Sequence, residues 1–293
     1  MSKIFVSGLT NVETSCYVGS FPIEYAPIDY NFFGVDSVAS GVGLNVALAL
    51  TALGDEVTLA TIAGEDPAGV VVRTALEPLS SARIADCGAT AQSVVLYDSD
   101  GRRRIYTDLK DIQERKLPDD FSGDLDKFDA FCLCNINFSR ELLTKAKAVG
   151  KPIFCDVHCI GSIDDEYNRD FMSAADVLFL SDENIRGREE GFVRMLSSAY
   201  QCDAIIVGMG SKGAMLYTRS DNGIKIIPAV HTREVVNTAG AGDALFSAFT
   251  HFYVKGLSAY EALLRAVYFA SYKIGESGAS KGFLSEEDLI RLL

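Results

Sequence analysis

Asn237-Thr238-Ala239-Gly240-Ala241-Gly242-Asp243 is the stretch from which the fold can be read. It joins a β-rich approach, Ile224-Lys225-Ile226-Ile227 and then Val235-Val236, to an apolar helix. That helix carries Leu245, Phe246, Phe249, Phe252 and Tyr253 on one side, and Gly256 is its expected stop. Glycines and alanines keep side chains out of the helix entrance. Backbone N–H groups there can face an anion, and the helix dipole favours negative charge at that end. An acidic residue at the same place suits poorly a site that only binds phosphate. It suits a site where Asp243 takes a proton from a hydroxyl while the nearby N–H groups hold the phosphoryl group under attack. Taken alone, the stretch also reads as a Gly-rich loop with Asp243 as a helix cap.

A second segment changes that balance. Ser40-Gly41-Val42-Gly43-Leu44-Asn45 opens a helix expected over residues 46–53, which Gly54 closes. Together the two segments resemble the paired signatures of the PfkB carbohydrate kinase family, D-T-x-G-A-G-D and G-G-x-x-x-N. The resemblance covers nearly the whole chain in order, spacing and length. It implies a ribokinase-like α/β fold, with a central, mostly parallel sheet flanked by helices and a small β-sheet lid that often mediates dimers. It also implies ATP and Mg2+ as cofactors and a sugar or nucleoside as acceptor.

Composition narrows the alternatives. The 293 residues carry a formal net charge of -13, which disfavours nucleic acid or an anionic membrane surface as a partner. No apolar run approaches the ~20 residues needed to span a bilayer. The N-terminus enters Ile4-Phe5-Val6 without a signal-peptide layout, and seven scattered cysteines read as thiols of a cytoplasmic protein. Cys132-Leu133-Cys134 and Cys155-Asp156-Val157-His158-Cys159 could meet on paired strands as a zinc site, but their spacing matches no usual zinc pattern and packing is the simpler reading.

Short apolar strands are expected at residues 4–7, 57–62, 130–134, 153–157, 177–180 and 204–207, with helices near 140–149 and 189–200. That alternation predicts a parallel sheet covered by helices. Residues 93–97 and 104–107 flank Asp98-Ser99-Asp100-Gly101, a hairpin signal. Ser258-Ala259-Tyr260-Glu261 is a capping box for a further helix. Residues 10–38 are aromatic and proline-punctuated, suited to irregular or edge-strand segments of a lid or an interface. The expected layout is one domain, 1–293, with lid segments at approximately 10–38 and 90–112.

The resemblance distributes roles along the chain. Asp243 matches the base and Gly240, Ala241 and Gly242 the anion hole. Asn11 and Glu13 match the family's N-x-D, with Glu for Asp; a carboxylate there can accept two adjacent hydroxyls. Asn45 matches the signature Asn, and it also reads as a helix N-cap; Gly41 and Gly43 would let a substrate approach the backbone. Gly208, Gly210, Ser211 and Gly213 resemble the strand-end T-x-G-x-x-G near the nucleotide phosphates, and also read as a plain glycine turn. Thr238 and Gly278 fall in segments matched to the nucleotide. The family's N-x-x-E is replaced by Ser181-Asp182-Glu183-Asn184, so Asp182 or Glu183 would hold Mg2+, through water. Relatives that use a monovalent cation carry Asp where this chain has Asn237, which leaves potassium activation open.

Three functions are carried forward. The first is a kinase for a primary hydroxyl of a sugar or nucleoside. The second, from Arg102-Arg103-Arg104, is a sugar-phosphate kinase. The third is a non-catalytic sugar or nucleotide sensor that has lost its metal site. A dinucleotide oxidoreductase fails because Val46 stands where the fingerprint wants glycine.

Overall fold

The computed structural model describes residues 1–100 and 102–293; Gly101, the end of the expected hairpin turn, lies outside the described residues. Strands β1 (Lys3–Ser7), β4 (Glu56–Ile62), β5 (Ser81–Ala85), β8 (Ala130–Leu133), β9 (Ile153–Asp156), β10 (Val177–Ser181), β11 (Ala204–Gly208), β12 (Ala214–Thr218) and β13 (Gly223–Ile227) form one sheet. Its order is β13-β12-β11-β10-β9-β8-β1-β4-β5. All neighbours are parallel except the antiparallel β11–β12 and β12–β13 pairs.

The central strands are apolar throughout because both faces are covered. Ile4, Val6, Cys132, Phe154 and Phe179 face helices α1 (Val42–Ala52), α6 (Ala241–Val254) and α7 (Ala259–Lys273), through Leu44, Phe249 and Leu263. Alternate residues Phe5, Phe131, Cys155 and Leu178 face α3 (Arg140–Val149), α4 (Arg169–Ala174) and α5 (Glu189–Ala199). Two short amphipathic helices, α2 (Pro67–Leu76) and α8 (Glu286–Leu292), complete the first layer with Val72 and Leu289. Cys132 and Cys155 therefore lie on opposite faces of the sheet and cannot share a zinc ion. Among the described residues no group of three or more His, Cys, Asp or Glu side chains is gathered to hold a metal, and no helix is long and apolar enough to cross a membrane.

A separate four-stranded sheet, β3-β2-β6-β7, combines β2 (Asn11–Tyr17), β3 (Val35–Ser40), β6 (Gln92–Tyr97) and β7 (Arg103–Asp108). Residues 18–34 are irregular and β3 is an edge strand, as expected; β2 alone departs, as a regular inner strand between β3 and β6. Its alternation of small polar residues with Val12 and Cys16 gave little apolar signal. The exposed Tyr25, Tyr30, Phe32 and Phe33 lie in the connection between β2 and β3.

Two other expectations are corrected. Val235 and Val236 form no strand; the N–H groups of Val236 and Asn237 both donate to the Ile274 carbonyl, which ties this loop to the end of α7. Helix α1 starts at Val42 rather than Val46, so Asn45 lies one turn inside it and is not its N-cap. Gly41, with φ 105°, makes the entry. A side chain at Gly43 would stand 2.5 Å from the Gly8 backbone, so its missing side chain serves the close packing of α1 on the end of β1. By contrast, the capping box at Ser258 forms as read: the Ser258 hydroxyl accepts from the Glu261 N–H, and the Glu261 carboxylate accepts from the Ser258 N–H.

Candidate active site

Because β1, β8, β9, β10 and β11 are parallel, their carboxyl ends share one edge of the sheet, where ligands of open α/β sheets bind. Gly8, Asp156, Asp182 and Gly208 stand at these ends, and α6 begins beside them.

The loop before α6 is fixed by glycine. Gly240 takes φ 73° as the residue preceding the helix, and a side chain there would stand 2.5 Å from the Ala279 carbonyl oxygen. Of the expected anion donors, Ala241 turns its N–H back on the Thr238 carbonyl at 3.2 Å. Gly242 and Asp243 have no preceding helical carbonyl in reach, so the N–H groups of this first turn are open donors.

Asp243 is half-buried in the first turn. Its Oδ2 accepts from Asn45 Nδ2 at 2.7 Å. Burial pushes its carboxyl up to about 6; the Asn45 donor, His158 and Lys273 pull it down, and Asp156 adds to the rise. A carboxylate with such a proton affinity is poised to accept a proton near neutral pH.

The bond to a carboxylate fixes which way the Asn45 amide points, because only its NH2 group can donate. Asn45 Oδ1 is then buried with no partner. Asn11 repeats the pattern: its Nδ2 donates to Ser93 Oγ at 2.7 Å and its Oδ1 is buried and unpartnered. A buried acceptor left unpaired costs about 1–3 kcal/mol, so each is a place where a hydroxyl donor is favoured. Glu13, half-buried on β2, is pushed up by burial and pulled back by Arg103 on β7, by Lys273 and by the Ser40 hydroxyl. Asn45 thus bonds to Asp243, and Glu13 and Asp243 share Lys273 as a charged neighbour.

The nucleotide candidates form the turn between β11 and β12. Gly210 (φ 56°) and Gly213 (φ 99°) shape it, and Ser211 lies between them. A side chain at Gly208 would touch Leu245 of α6 at an ordinary 3.8 Å, which sets this turn beside the Asp243 helix. Thr238 is exposed in the loop, and Gly278 has φ 75°. Asp182 is buried, its N–H donates to the Gly208 carbonyl, and Arg186 Nε lies 3.5 Å from its carboxylate. Glu183 is exposed and accepts from the Cys159 thiol at 3.1 Å.

Sequence reading missed three side chains here. Asp156 ends β9, His158 lies just beyond it, and both act on Asp243 electrostatically. Lys273, fully buried at the end of α7, donates to the carbonyls of Ala239 and Gly278. A signal for the first two was available: polar residues at the carboxyl end of a parallel strand. For Lys273 it was a lysine inside the apolar stripe of a helix.

Comparison with known proteins identifies the family and the fold. The profile described as pfkB family carbohydrate kinase matches residues 1–286. The chain is 26% identical to a ribokinase of Arabidopsis thaliana over 285 residues, 88% of this chain and 72% of that protein. It is 27% identical over 221 residues to an ATP-dependent ribose-1-phosphate kinase of Halopiger xanaduensis, 71% of each. Among solved structures, a microbiome-derived acarbose kinase superposes with a TM-score of 0.88 at 25% identity, covering 99% of this chain and 98% of that one. The Arabidopsis thaliana ribokinase complexed with ribose and ATP superposes at 0.82 with 20% identity, covering 99% and 98%.

Proposed function

The chain belongs to the pfkB family of carbohydrate kinases, and from that premise we propose that it transfers the γ-phosphoryl group of ATP to a primary hydroxyl of a sugar or nucleoside. The observation that carries the reading is the half-buried Asp243 carboxylate, raised to about 6 and standing in the first turn of α6 beside open backbone donors. In the proposed step the acceptor hydroxyl gives its proton to Asp243 as its oxygen forms a bond to the γ-phosphorus. The bond from that phosphorus to the bridging oxygen breaks, and ADP leaves with the electron pair. The N–H groups of Gly242 and Asp243, at the positive end of α6, face the charge that grows on the transferred group.

Asn11, Glu13 and Asn45 hold the acceptor in this reading, the two asparagines through the oxygens that lack partners. Gly41 supplies close backbone approach, and Gly43 acts through packing. Gly208, Gly210, Ser211, Gly213, Thr238 and Gly278 border the nucleotide. Among the described residues no three or more ligand side chains are gathered, and Mg2+ brought in on the triphosphate would need only water and one or two side chains. Asp182 is engaged by Arg186, so the exposed Glu183 is the freer of the two candidates. When bound, the ion would neutralise phosphate charge. The four-stranded sheet acts as a lid over the acceptor and excludes water, within a single domain of residues 1–293. A homodimer through that lid is part of the same reading.

A phosphorylated sugar is a second reading, favoured by Arg103, which is near enough to Glu13 to act on its carboxyl. One experiment separates these readings. ADP release from Mg-ATP is measured across pentoses, hexoses, sugar phosphates and nucleosides, beside Asp243→Asn. Turnover on one acceptor class, lost by several orders of magnitude in the variant, supports the kinase and names the class. Nucleotide binding without acceptor-stimulated turnover supports the sensor instead.

A further inference from the structure

Lys273 is the last residue of α7 and has no exposed surface. A buried ammonium is strongly disfavoured unless it is paired and hydrogen-bonded. Among the described residues it has no carboxylate within ion-pair distance. Its Nζ donates instead to two backbone carbonyls, those of Ala239 and, at 2.5 Å, Gly278. These carbonyls come from two different loops that meet at Gly240: Ala239 immediately precedes it, and the residue after Gly278 is Ala279, against whose carbonyl Gly240 packs. Asp243, Glu13 and Glu276 favour the charged form through their fields, while burial and Arg233 lower its proton affinity to about 8, so the charge is retained at neutral pH. Nor does Asn237 supply a competing ligand, since its Oδ1 accepts from the Ala239 N–H at 2.8 Å.

We propose that Lys273 is a positioning residue of the anion site, whose ammonium clamps the 237–240 loop to the 275–279 loop and supplies a fixed positive charge behind the Gly242 and Asp243 donors. Carbonyl oxygens converging on one buried point are also how proteins hold monovalent metal ions. Here the cation is part of the chain, so the enzyme works without an added one. The catalytic half of this inference rests on the phosphotransfer reading; the clamp itself does not.

The test compares choline chloride, potassium chloride and ammonium chloride at equal ionic strength, reading both ADP formation and the thermal midpoint. Wild type should turn over equally in the three salts, within about twofold. Lys273→Ala should lose about 100-fold in choline, the scale seen when one charge-stabilising group is removed. It should regain at least about tenfold in ammonium or potassium, with a higher midpoint in the same salts. Lys273→Met fills the volume without the charge and should fold yet stay slow in every salt.

Severalfold stimulation of wild type by potassium overturns the proposal. So does wild-type turnover in Lys273→Met, or a Lys273→Ala protein that ignores both cations in both measurements. Where Lys273→Ala does not fold, wild type and Lys273→Met decide. If wild type turns over no acceptor at all, the kinase reading is what has failed, and the cation-specific melting of Lys273→Ala still judges the clamp.

Discussion

Asn45 Nδ2 lies 2.7 Å from Asp243 Oδ2 across a sequence separation of 198 residues. One residue sits in the second turn of α1 and the other in the first turn of α6. Gly43 lets α1 press against the end of β1, and Gly240 lets α6 begin against Ala279, so two glycine-dependent contacts deliver the two side chains to one point. The pair has a chemical consequence. Asn45 stabilises the charged form of the carboxylate, while its own buried oxygen is left without a partner.

Asn45→Ala should therefore shift the base as well as weaken acceptor binding. A hydrogen bond to a charged group contributes about 1.5–3 kcal/mol, equivalent to about one to two pKa units. The acid limb of the pH–rate profile should move up by about one unit, with kcat/KM down about 10–100-fold at neutral pH. An unmoved acid limb would show that Asn45 does not set the proton affinity of Asp243.

Asp243 itself should lower stability at working pH. Its folded-state value is raised from 3.8 to about 6, so the folded protein binds this proton more tightly than the unfolded chain does. That contribution is complete below about pH 4 and is lost as pH rises through about 6. Asp243→Asn removes the penalty. Its thermal or urea stability should exceed wild type by on the order of 2 kcal/mol at pH 7.5, and the gain should vanish near pH 4. Equal stability of the two proteins at both pH values would mean that the carboxyl is not raised.

Gly240→Ala tests the loop. The new methyl would meet both an unfavourable φ of 73° and the Ala279 carbonyl at 2.5 Å. Backbone strain of this kind costs about 1–3 kcal/mol. Stability should fall by that amount, and turnover should fall further than stability because the Gly242 and Asp243 donors move with the loop. Gly242→Ala, where a side chain has open space, should fold as wild type.

Much of this was legible in the chain. Residues 140–149 and the Ser258 box were read as they form, because their periodicity and caps are local. The Asp243 loop was legible because glycine and acid occur together at a helix entrance. What could not be read depends on long-range burial. β2 alternates small polar groups and carries no strong strand signal, yet pairing with β3 and β6 makes it an inner strand. Ala241 is among the anticipated donors, and only the turn geometry reveals that Thr238 takes its N–H. The role of Lys273 depends on two carbonyls 34 and 5 residues away, a relation that no spacing in sequence expresses.

Glu13 should govern which acceptor fits. It lies on an inner strand of the smaller sheet, half-buried, with Arg103, Lys273 and Ser40 around its carboxyl. Burial raises its proton affinity, and these neighbours oppose the rise. Glu13→Gln keeps the shape but loses the charge that accepts two hydroxyls, so KM for the acceptor should rise by about 10–100-fold, the scale of a lost charged hydrogen bond. KM for ATP should change by less than about twofold, because the nucleotide candidates lie in the β11–β12 turn. Glu13→Asp draws the carboxylate back by one methylene and should reorder preference among acceptors, since a site built to bind a hydroxyl discriminates strongly when the partner moves out of reach. Steady-state kinetics on the acceptor panel decides this. An equal loss for every acceptor, with ATP affected alike, would make Glu13 a structural element of the lid rather than the residue that reads the substrate.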